Sequence, residues 1–560
     1  MQLPTKLTLQ AVLQNSAKQF GDKLALSFVD SAQVTYSKMA EVARKIGFYL
    51  RAKGVNQHDK VAILSESMPN WGVSYFSIAS SGMVTVPILV DFSTTEVNNI
   101  LEHSDSKVLF LSKKMEAKHS GALKFDGDII YIEDFSSAKA GEDGIEDFAA
   151  KNAETFAKYE APEVEEKDLE SIIYTSGTTG RNKGVMLSNL NIVYDAVQIL
   201  TVQNIMPEDS MVSVLPLAHS YECTLGLVLP MMRGATVYYL EKPPTASHLL
   251  PVLQQVKPTL ILTVPLIIEK IFRMQIKPKL TGSAVMKFLY KIGFIRKKLF
   301  KVAGKQLMEK FGGRLQFFGI GGAPLNPEVE KFLMASGIPY AIGYGMTETA
   351  PITVAGGVGK THLQGIGEVM EGVELYIDNP HPKTGEGEIV VRGKMVMQGY
   401  YKDPEATKEV LNDEGWLRTG DLGVIKKGIV YIKGRCKNMI LGASGENIYP
   451  EEIEAVINSQ DAVSESLVSQ VNGRLIAKVY FEKEVLEKAV AEYWEEYVSH
   501  YKDLKATAHD WQEKTKAYLQ NLKKEINEQF GKYSQIADIE IRFDPFEKTA
   551  TQKIKRYLYC

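Results

Sequence analysis

The chain has 560 residues, of which 45% are hydrophobic and 24% charged, and its formal net charge is −3. This composition excludes a disordered, collagen-like or wholly coiled-coil protein, and the net charge argues against a nucleic-acid partner. At roughly 150 residues per domain, the length predicts three or four folding units. Cys223, Cys436 and Cys560 are widely separated, which excludes a disulfide framework and a CxxC metal site and favours a cytoplasmic location.

The start of the chain lacks the long apolar core of a signal peptide. One uncharged run, at residues 67–90, is long enough to span a bilayer. Prolines, glycines and serines interrupt this run, so it predicts a helix, a turn and a strand in a soluble domain rather than a membrane span.

The first half of the chain alternates helical and strand-like patterns, which predicts an α/β fold with a substantial parallel sheet. A helical pattern covers residues 41–52. Strand-like apolar runs occupy residues 60–65, 84–90, 107–111, 129–132, 170–174, 236–240 and 260–264. After about residue 365, glycine-rich hairpin signals predict a small antiparallel, barrel-like subdomain. Beyond residue 435, short strands are mixed with a charged helical stretch at residues 486–530.

A run of small and hydroxylic residues follows the strand-like residues 171–174 and reads YTSGTTGRNKG at residues 174–184. Glycines let backbone N–H groups converge on an anion, while hydroxyls and a lysine add further donors. The GxxxxGK[ST] spacing of a P-loop is absent. The run therefore predicts another kind of phosphate-binding loop rather than a surface turn. Its residues are Thr175, Ser176, Gly177, Thr178, Thr179, Gly180 and Lys183.

This phosphate-binding loop resembles the signature of the adenylate-forming (AMP-binding) superfamily, which includes acyl-CoA synthetases, luciferases and peptide-synthetase adenylation domains. Seven further stretches resemble its motifs in the same order: LPLAH at 215–219, GGAPL at 321–325, GYGMTE at 343–348, GEIVVRG at 387–393, GWLRTGDLG at 415–423, GRCK at 434–437 and EKTATQKIKR at 547–556. Eight matches in order are very specific. LAHSYE, SGENIYP and KTATQKIKR most resemble bacterial long-chain fatty acyl-CoA synthetases.

The resemblance implies a large N-terminal domain of layered α/β sheets with a small barrel-like subdomain at residues 1–434. A hinge at residues 435–437 joins it to a smaller, mobile α+β C-terminal domain at residues 438–560, and the active site lies between the two. In this family the C-terminal domain rotates between two half-reactions, which is a hinge-type switch.

The resemblance also implies the reaction: ATP-dependent activation of a fatty acid to acyl-AMP with release of pyrophosphate, then transfer to coenzyme A. A carboxylate with a pKa of about 4.3 is already ionised at neutral pH, so the first step needs no general base. It needs positioning and neutralisation of charge instead. An acyl-carrier-protein synthetase, an acyl-AMP ligase and, with less support, a non-catalytic lipid-binding protein remain open, as do chain length and oligomeric state.

Roles for individual residues follow from the same resemblance. The phosphate-binding loop with Lys183 binds the β- and γ-phosphates, Glu348 coordinates Mg²⁺ and Thr347 contacts the α-phosphate. Lys553 bridges the attacking carboxylate and the α-phosphate. His219 lines the acyl channel, although a histidine among apolar residues is equally consistent with a packed core side chain.

The remaining site residues surround the nucleoside and the thiol. Asp421 accepts both ribose hydroxyls with Arg435 nearby, and Lys437 lies at the hinge; read alone, Asp421 is equally consistent with a turn residue. The residues that border adenine are Gly322, Ala323, Pro324, Gly343, Tyr344 and Gly345. The face presented to the thiol contains Gly445, Glu446 and Asn447.

A basic stretch at residues 271–314 contains twelve lysines and arginines and one acidic residue. On a helical wheel, one arc holds Lys287, Lys291, Lys298, Lys301 and Lys305, and the adjoining arc holds Phe288, Ile292, Ile295, Leu299 and Val302. This pattern predicts a basic amphipathic helix. Its apolar arc either packs on the protein or docks residues 285–305 on an anionic membrane, which would be the inner face in the cytoplasm.

Overall fold

The structure is a computed structural model that describes residues 3–29, 31, 33–176, 182–442, 447–460, 462–500, 511–549 and 553–560. Its largest sheet has nine strands. In spatial order these are Glu368–Val369, Ile352–Gly356, Tyr340–Gly345, Phe317–Ile320, Leu260–Thr263, Ser210–Ser213, Thr236–Tyr239, Leu24–Phe28 and Val34–Thr35. The central pairings are parallel, and antiparallel pairings occur only toward the two edges.

A second sheet has seven strands and is parallel apart from one edge. In spatial order these are Gly399–Tyr400, Asn182–Ser188, Leu169–Ser176, Val84–Ile88, Lys60–Leu64, Val108–Leu111 and Asp128–Tyr131. Its inner strands are buried along their whole length, as expected for parallel strands that are covered on both faces. The predicted α/β fold is confirmed.

The remaining strands form three smaller sheets. The antiparallel piece predicted after residue 365 is a four-stranded sheet of Glu374–Asp378, Gly387–Arg392, Leu417–Lys426 and Ile429–Arg435. A two-stranded sheet pairs Ile440–Leu441 with Asn447–Ile448. A three-stranded sheet contains Glu465–Val471, Arg474–Tyr480 and Asp538–Arg542.

The helices before residue 435 are Leu9–Phe20, Tyr36–Ala52, Pro69–Ser80, Thr94–Ser104, Lys113–His119, Ile145–Lys151, Ala153–Ala157, Asn189–Ile199, Ser220–Glu222, Leu229–Arg233, Ala246–Val256, Pro265–Ile271, Lys277–Thr281, Ala284–Lys291, Gly293–Lys310, Pro327–Ser336 and Pro404–Val410. After it come Pro450–Asn458, Lys483–His500 and Trp511–Asn527. Two π-helical segments are Cys223–Val228 and Phe272–Ile276. Single 3-10 turns occur at Thr347–Thr349, Cys436–Asn438, Lys532–Ser534 and Arg556–Leu558.

The uncharged run at residues 67–90 folds as predicted, into the helix Pro69–Ser80 and the strand Val84–Ile88. Proline at the start of the helix needs no hydrogen bond there, so it favours the helix at this position. Among the described residues, no helix is both long enough and apolar enough to span a bilayer.

The apolar core is divided. Two large clusters lie within residues 9–430, and a third, separate cluster runs from Ile448 to Ile539. The third cluster joins the helix Pro450–Asn458 to the three-stranded sheet. The C-terminal part of the chain therefore has its own core.

The prediction of one continuous basic amphipathic helix was wrong. Ile292 has an extended backbone, and it separates the helices Ala284–Lys291 and Gly293–Lys310. Glycine after it is a poor helix former, which favours a break here. Phe300 packs in the core against Phe332, with ring centroids 5.3 Å apart, and so fixes the second helix.

Candidate active site

The structure brings together predicted nucleoside residues from three strands. Asp421 and Arg435 lie directly opposite each other on the strands Leu417–Lys426 and Ile429–Arg435. Arg435 Nε is 2.8 Å from Asp421 Oδ1, and the Tyr344 hydroxyl donates to Asp421 Oδ2 at 2.7 Å. Burial raises the pKa of Asp421, and the Arg435 charge opposes this shift. The carboxylate is thus held at both oxygens and is suited to accept hydroxyl donors.

Glu348 is buried in the 3-10 turn Thr347–Thr349, which follows the strand that carries Tyr344. The Tyr400 hydroxyl donates to Glu348 Oε1 at 2.8 Å. Lys183 Nζ lies 4.5 Å from the centroid of the Tyr400 ring, a cation–π distance. Burial raises the pKa of Tyr400 well above its ordinary value, so the phenol remains a neutral donor.

Sequence reasoning missed Tyr400. It lies in the short strand Gly399–Tyr400, outside the eight recognised stretches. A tyrosine in a strand is not recognisable as a site residue from the sequence, because tyrosines commonly pack in strands. Its contact with Glu348 depends on pairing of this strand with Asn182–Ser188, which only the tertiary fold creates.

The two ends of the predicted phosphate-binding loop form a hairpin. Strands Leu169–Ser176 and Asn182–Ser188 are antiparallel, and Thr175 lies opposite Lys183. This pairing fixes where the loop begins and ends, and it places Lys183 beside Tyr400. Gly177, Thr178, Thr179 and Gly180 lie outside the described residues.

The backbone N–H of Lys553 donates to Thr549 Oγ1 at 3.2 Å. It occupies a solvent-accessible cleft, so its side chain is exposed although protein atoms crowd it. That crowding lowers the pKa of Lys553, and so does the nearby Arg435 charge, whereas Asp421 and Glu348 act in the opposite sense. Lys553 is therefore within electrostatic range of both carboxylates.

A buried ion pair anchors the segment that carries Lys553. Arg556 Nη1 lies 2.7 and 2.9 Å from the two carboxylate oxygens of Glu454, and Arg556 Nη2 donates to the Val468 carbonyl at 2.8 Å. Burial raises the pKa of Glu454 to about 7, against the effect of Arg556. Such a bidentate pair fixes geometry, which suits a residue that must carry a lysine to a defined position.

His219 lies in the same cleft. It caps the short helix Ser220–Glu222, and its Nδ1 accepts the Tyr221 backbone N–H at 3.2 Å. Burial, with a smaller contribution from the Lys553 charge, lowers the pKa of His219 to about 4. The ring is half-buried and neutral at physiological pH. Its proximity to Lys553 favours the predicted place at the channel over a packed core histidine.

An apolar cavity begins next to this cleft. Its near end is at Tyr221, two residues after His219, and at Gly343, which precedes Tyr344. A Cβ atom at Gly321 would lie 3.3 Å from the Tyr221 ring, so glycine lets this ring approach the loop closely.

The walls of the cavity are almost wholly apolar. Leu262, Gly319 and Ala341 lie opposite one another on three adjacent parallel strands and form its floor. Leu225 lines it from the π-helical segment Cys223–Val228. The far end is lined by Val202, Gln203 and Ile205 in the connection after the helix Asn189–Ile199. An extended hydrocarbon chain is the kind of ligand that such walls suit.

The other predicted residues lie around the cleft. Gly322, Ala323 and Pro324 are exposed in the loop that follows the strand Phe317–Ile320. Gly345 must be glycine, because a Cβ atom there would lie 1.7 Å from the Pro351 carbonyl oxygen. Thr347 is half-buried next to Glu348.

Of the predicted thiol-facing residues, the structure describes Asn447, which lies a few residues after Lys437. Lys437 is exposed in the turn Cys436–Asn438. Asn447 begins the strand Asn447–Ile448, with its amide 3.5 Å from the Tyr449 hydroxyl. Gly445 and Glu446 lie outside the described residues.

The donor set suits a nucleotide-bound magnesium ion. Among the residues that the structure describes, no group of three or more His, Cys, Asp or Glu side chains forms a metal cage. Mg²⁺ needs no such cage, since it keeps several waters and binds through one or two carboxylates and substrate phosphates. Glu348, oriented by Tyr400, is a carboxylate that fits this role.

Comparison with known proteins identifies the family. The model of the family "AMP-binding enzyme" matches residues 13–401. The chain belongs to this family. It is 29% identical over 494 residues to the peroxisomal long chain acyl-CoA synthetase 7 of Arabidopsis thaliana. This alignment covers 81% of this chain and 69% of that protein. It is 28% identical to a chloroplastic long-chain-fatty-acid–[acyl-carrier-protein] ligase of the same plant, over 85% of this chain and 76% of that one.

Solved structures share the fold. The anthranilate CoA ligase AuaEII in complex with anthranoyl-AMP superposes with a TM-score of 0.77 at 19% identity, over 100% of this chain and 97% of that chain. ATP-bound MatB from Rhodopseudomonas palustris superposes with a TM-score of 0.74 at 21% identity, over 99% of this chain and 98% of that chain. The predicted family and enzyme class, an AMP-forming acid–thiol ligase that uses ATP, Mg²⁺ and coenzyme A, are confirmed. The relatives named here are plant proteins and do not reflect the predicted likeness to the bacterial branch.

Proposed function

We propose that this chain converts a long-chain fatty acid, ATP and coenzyme A into acyl-CoA, AMP and pyrophosphate. The observation that carries this proposal is the meeting of Lys553, Glu348, Asp421 and His219 in one cleft, directly beside an apolar cavity. The names of the relatives point to the same substrates, since they include long-chain acyl-CoA synthetases.

In the first step the fatty carboxylate attacks the α-phosphate of ATP, the P–O bond to pyrophosphate breaks, and acyl-AMP forms. Lys553 stabilises the negative charge that develops there, and Thr347 contacts the same phosphate. Asp421, held by Arg435 and Tyr344, accepts the ribose hydroxyls. Gly322, Ala323, Pro324, Gly343 and Gly345 border the adenine.

The phosphate-binding loop and Lys183 hold the β- and γ-phosphates as pyrophosphate departs. Glu348 would hold a Mg²⁺ ion, whose positive charge offsets that of the phosphates when it is bound. Tyr400 positions this carboxylate through its hydrogen bond and lies under Lys183, so one side chain supports both groups.

In the second step the thiol of coenzyme A attacks the acyl carbonyl, and AMP leaves. We propose that residues 1–434 form one domain and residues 438–560 another, which rotates about residues 435–437 between the steps. The separate core at Ile448 to Ile539 supports this division. Rotation would withdraw Lys553 and bring Gly445, Glu446 and Asn447 to the thiol, with Lys437 at the pivot.

A long acyl chain suits the cavity energetically. Each buried methylene contributes about 0.8 kcal/mol of transfer free energy, so an acyl chain of a dozen methylenes gains roughly ten kcal/mol before the costs of binding. The walls are mostly apolar, with Gln203 the one amide side chain among the lining residues.

The direct test is a pyrophosphate-release screen of carboxylic acids from acetate to long-chain fatty acids, with ATP, Mg²⁺ and coenzyme A present. Release should depend on the acid and should be fastest with a long chain. Fastest release with acetate or an aromatic acid would contradict the proposed substrate class, and no release with any acid would contradict the activity.

One relative supports a second acceptor. The plant acyl-carrier-protein ligase matches a larger share of this chain than the acyl-CoA synthetase 7 does. The two acceptors give different products, which can be measured separately. With palmitate and ATP, the protein should form palmitoyl-CoA when coenzyme A is the acceptor. Acylation of holo-acyl-carrier protein at a higher rate would favour the second acceptor.

We further propose that the protein is cytoplasmic and docks peripherally on anionic lipid at the inner face of the membrane, through residues 285–305. The free cysteines support the cytoplasm. Both basic helices expose large apolar side chains: Val285 is 68% exposed, Phe288 65%, Phe294 67% and Val302 60%. Of the predicted apolar arc, Phe288 and Val302 are exposed, whereas Ile292, Ile295 and Leu299 are half-buried, so the alternative in which the arc packs on the protein accounts for part of it.

The charges of the same surface favour anionic lipid. Lys287, Lys291, Lys298, Lys301 and Lys305 are all exposed. Each lysine near an anionic surface adds about 1 kcal/mol of binding free energy. Docking would place the acyl cavity beside the bilayer that holds its substrate.

Liposome sedimentation at low salt tests the docking. The protein should pellet with anionic vesicles and remain in the supernatant with neutral ones, and replacing Lys291, Lys298 and Lys301 with Glu should release it. Turnover of a short soluble acid should be unchanged in that variant. Equal recovery in the supernatant with both lipids would contradict the proposal.

A further inference from the structure

An arginine joins the two separately packed parts of the molecule. Arg273 lies in the π-helical segment Phe272–Ile276, before the hinge. Its Nη1 donates to the Val463 carbonyl at 2.9 Å, and its Nη2 donates to the Asn458 carbonyl. Both acceptors belong to the C-terminal part. A guanidinium group is suited to this contact because its rigid fork can donate to two acceptors at once.

One of the two acceptors is a carbonyl that a helix leaves without a partner. Asn458 is the last residue of the helix Pro450–Asn458, and Val463 follows in the next connection. The last four carbonyls of a helix lack intrahelical donors, and the helix dipole makes this end partially negative. Arg273 therefore stabilises the C-terminal end of a helix that belongs to the other part of the molecule.

Each end of this contact is anchored in a different core. Phe272, next to Arg273, packs against Phe300 and Phe332 before the hinge. Ile457, next to Asn458, is fully buried in the C-terminal core. Because both sides are rigid, the contact constrains the relative orientation of the two parts. It does not merely hold a surface segment in place.

A second contact lies at the opposite end of the same helix. Lys433 Nζ is 2.8 Å from Glu452, and the Tyr449 hydroxyl donates to Glu386 at 2.9 Å. The helix has nine residues, so its two ends are roughly 12 Å apart. The contact at Lys433 adjoins the hinge and can persist during a rotation, whereas the contact at Arg273 lies away from the pivot and must break.

We propose that Arg273 is a positioning residue that holds the C-terminal domain where Lys553 reaches the cleft, and that it releases the helix Pro450–Asn458 for the thioester step. The inference rests on the two-step function proposed above. Loss of a hydrogen-bonded charge of this kind corresponds to a roughly ten- to hundredfold shift in population. Arg273 touches no substrate; its effect on the reaction passes through the position of Lys553.

The test separates the two half-reactions in the full-length protein. Arg273→Ala should lower palmitate-dependent ATP–pyrophosphate exchange about ten- to hundredfold, while palmitoyl-CoA formation from synthetic palmitoyl-AMP should stay within about twofold of the unmodified protein. Arg273→Lys retains the charge but not the forked guanidinium group, so its exchange rate should lie between those of Arg273→Ala and the unmodified protein. Arg314→Ala, an exposed arginine of the same basic stretch, is the matched control and should change neither step.

Equal loss of both half-reactions in Arg273→Ala, or unchanged exchange, would overturn the proposal. A second readout does not need catalysis: trypsin should cut at Arg435 or Lys437 in the hinge several-fold faster in Arg273→Ala, and unchanged cleavage would also count against it. If the unmodified protein activates no acid at all, the proposed function fails, and the cleavage rates still decide whether Arg273 holds the domain.

Discussion

The nucleotide cleft and the acyl cavity adjoin each other but are built on opposite principles. In the cleft, the two carboxylates are oriented by named partners: Asp421 by Arg435 and Tyr344, and Glu348 by Tyr400. In the cavity, apolar side chains from strands and a π-helical segment define only a volume. Directional contacts allow one geometry, whereas a volume tolerates many side chains of similar size.

The contrast explains why the reaction was easier to predict than the substrate. Residue types that carry charge at a fixed place leave a pattern in the sequence, as TGDLG around Asp421 does. Cavity length depends on where Leu262, Gly319 and Ala341 meet across three strands, and no local pattern encodes that meeting. Four variants test this contrast.

The largest effect should follow from Lys553→Ala. Adenylation should fall roughly 10²–10³-fold, because a donor aimed at developing charge is lost, while thioester formation from preformed acyl-AMP remains. Single-turnover assays of each half-reaction measure this. Lys555→Ala, two residues away and paired only loosely with Glu547 at 3.9 Å, is the control and should leave both steps intact. Loss of both steps in Lys553→Ala would contradict alternation of the domains.

Ala341→Leu should change the substrate rather than the chemistry. The added carbons would fill the floor of the cavity and exclude roughly four methylenes, which at about 0.8 kcal/mol each lowers kcat/KM for palmitate about 200-fold. Activity with octanoate should be nearly unchanged. Kinetics over a series of chain lengths measure the shift, and a uniform loss at every length would show that the cavity does not hold the acyl chain.

Tyr400→Phe should have a smaller effect, about tenfold on adenylation, because it removes one hydrogen bond to a charged group. The loss should be accompanied by a higher requirement for Mg²⁺, since Glu348 would be less well oriented. Tyr401→Phe, at the neighbouring and more exposed tyrosine, is the control. Equal effects of the two variants on the Mg²⁺ dependence would argue against a role for Tyr400.

The smallest effect concerns stability at low pH. Burial lowers the pKa of His219 to about 4, so between about pH 6.5 and pH 4 the unfolded chain binds a proton that the folded protein excludes. Acidification through this window should therefore lower the free energy of unfolding. His219→Gln cannot take up this proton and should lose less stability over the same window. Chemical denaturation at several pH values measures the difference. The same dependence of the free energy of unfolding on pH in both proteins would contradict the low pKa of His219.

Much of the fold was predictable because buried parallel strands are continuous apolar runs. The predicted strand at residues 84–90 is Val84–Ile88, and that at residues 260–264 is Leu260–Thr263. The break at Ile292 was not predictable from a helical wheel, because the wheel assumes an unbroken helix. Burial of Phe300, which fixes the second helix, depends on aromatic partners elsewhere in the chain.

The site divides in the same way. Lys553, Glu348 and Asp421 were found because each lies in a recognised stretch. Tyr400 and Arg273 were missed because their partners are distant in sequence and are brought near only by strand pairing or by packing of the two parts.

The central claim is that this chain joins a long-chain fatty acid to coenzyme A through an acyl-AMP. The most direct measurement is the stoichiometry of products from palmitate, Mg-ATP and coenzyme A, separated by chromatography. The account predicts equal amounts of palmitoyl-CoA, AMP and pyrophosphate, with palmitoyl-AMP accumulating when coenzyme A is left out. Formation of ADP and phosphate, or of AMP without any palmitoyl-CoA, would contradict it.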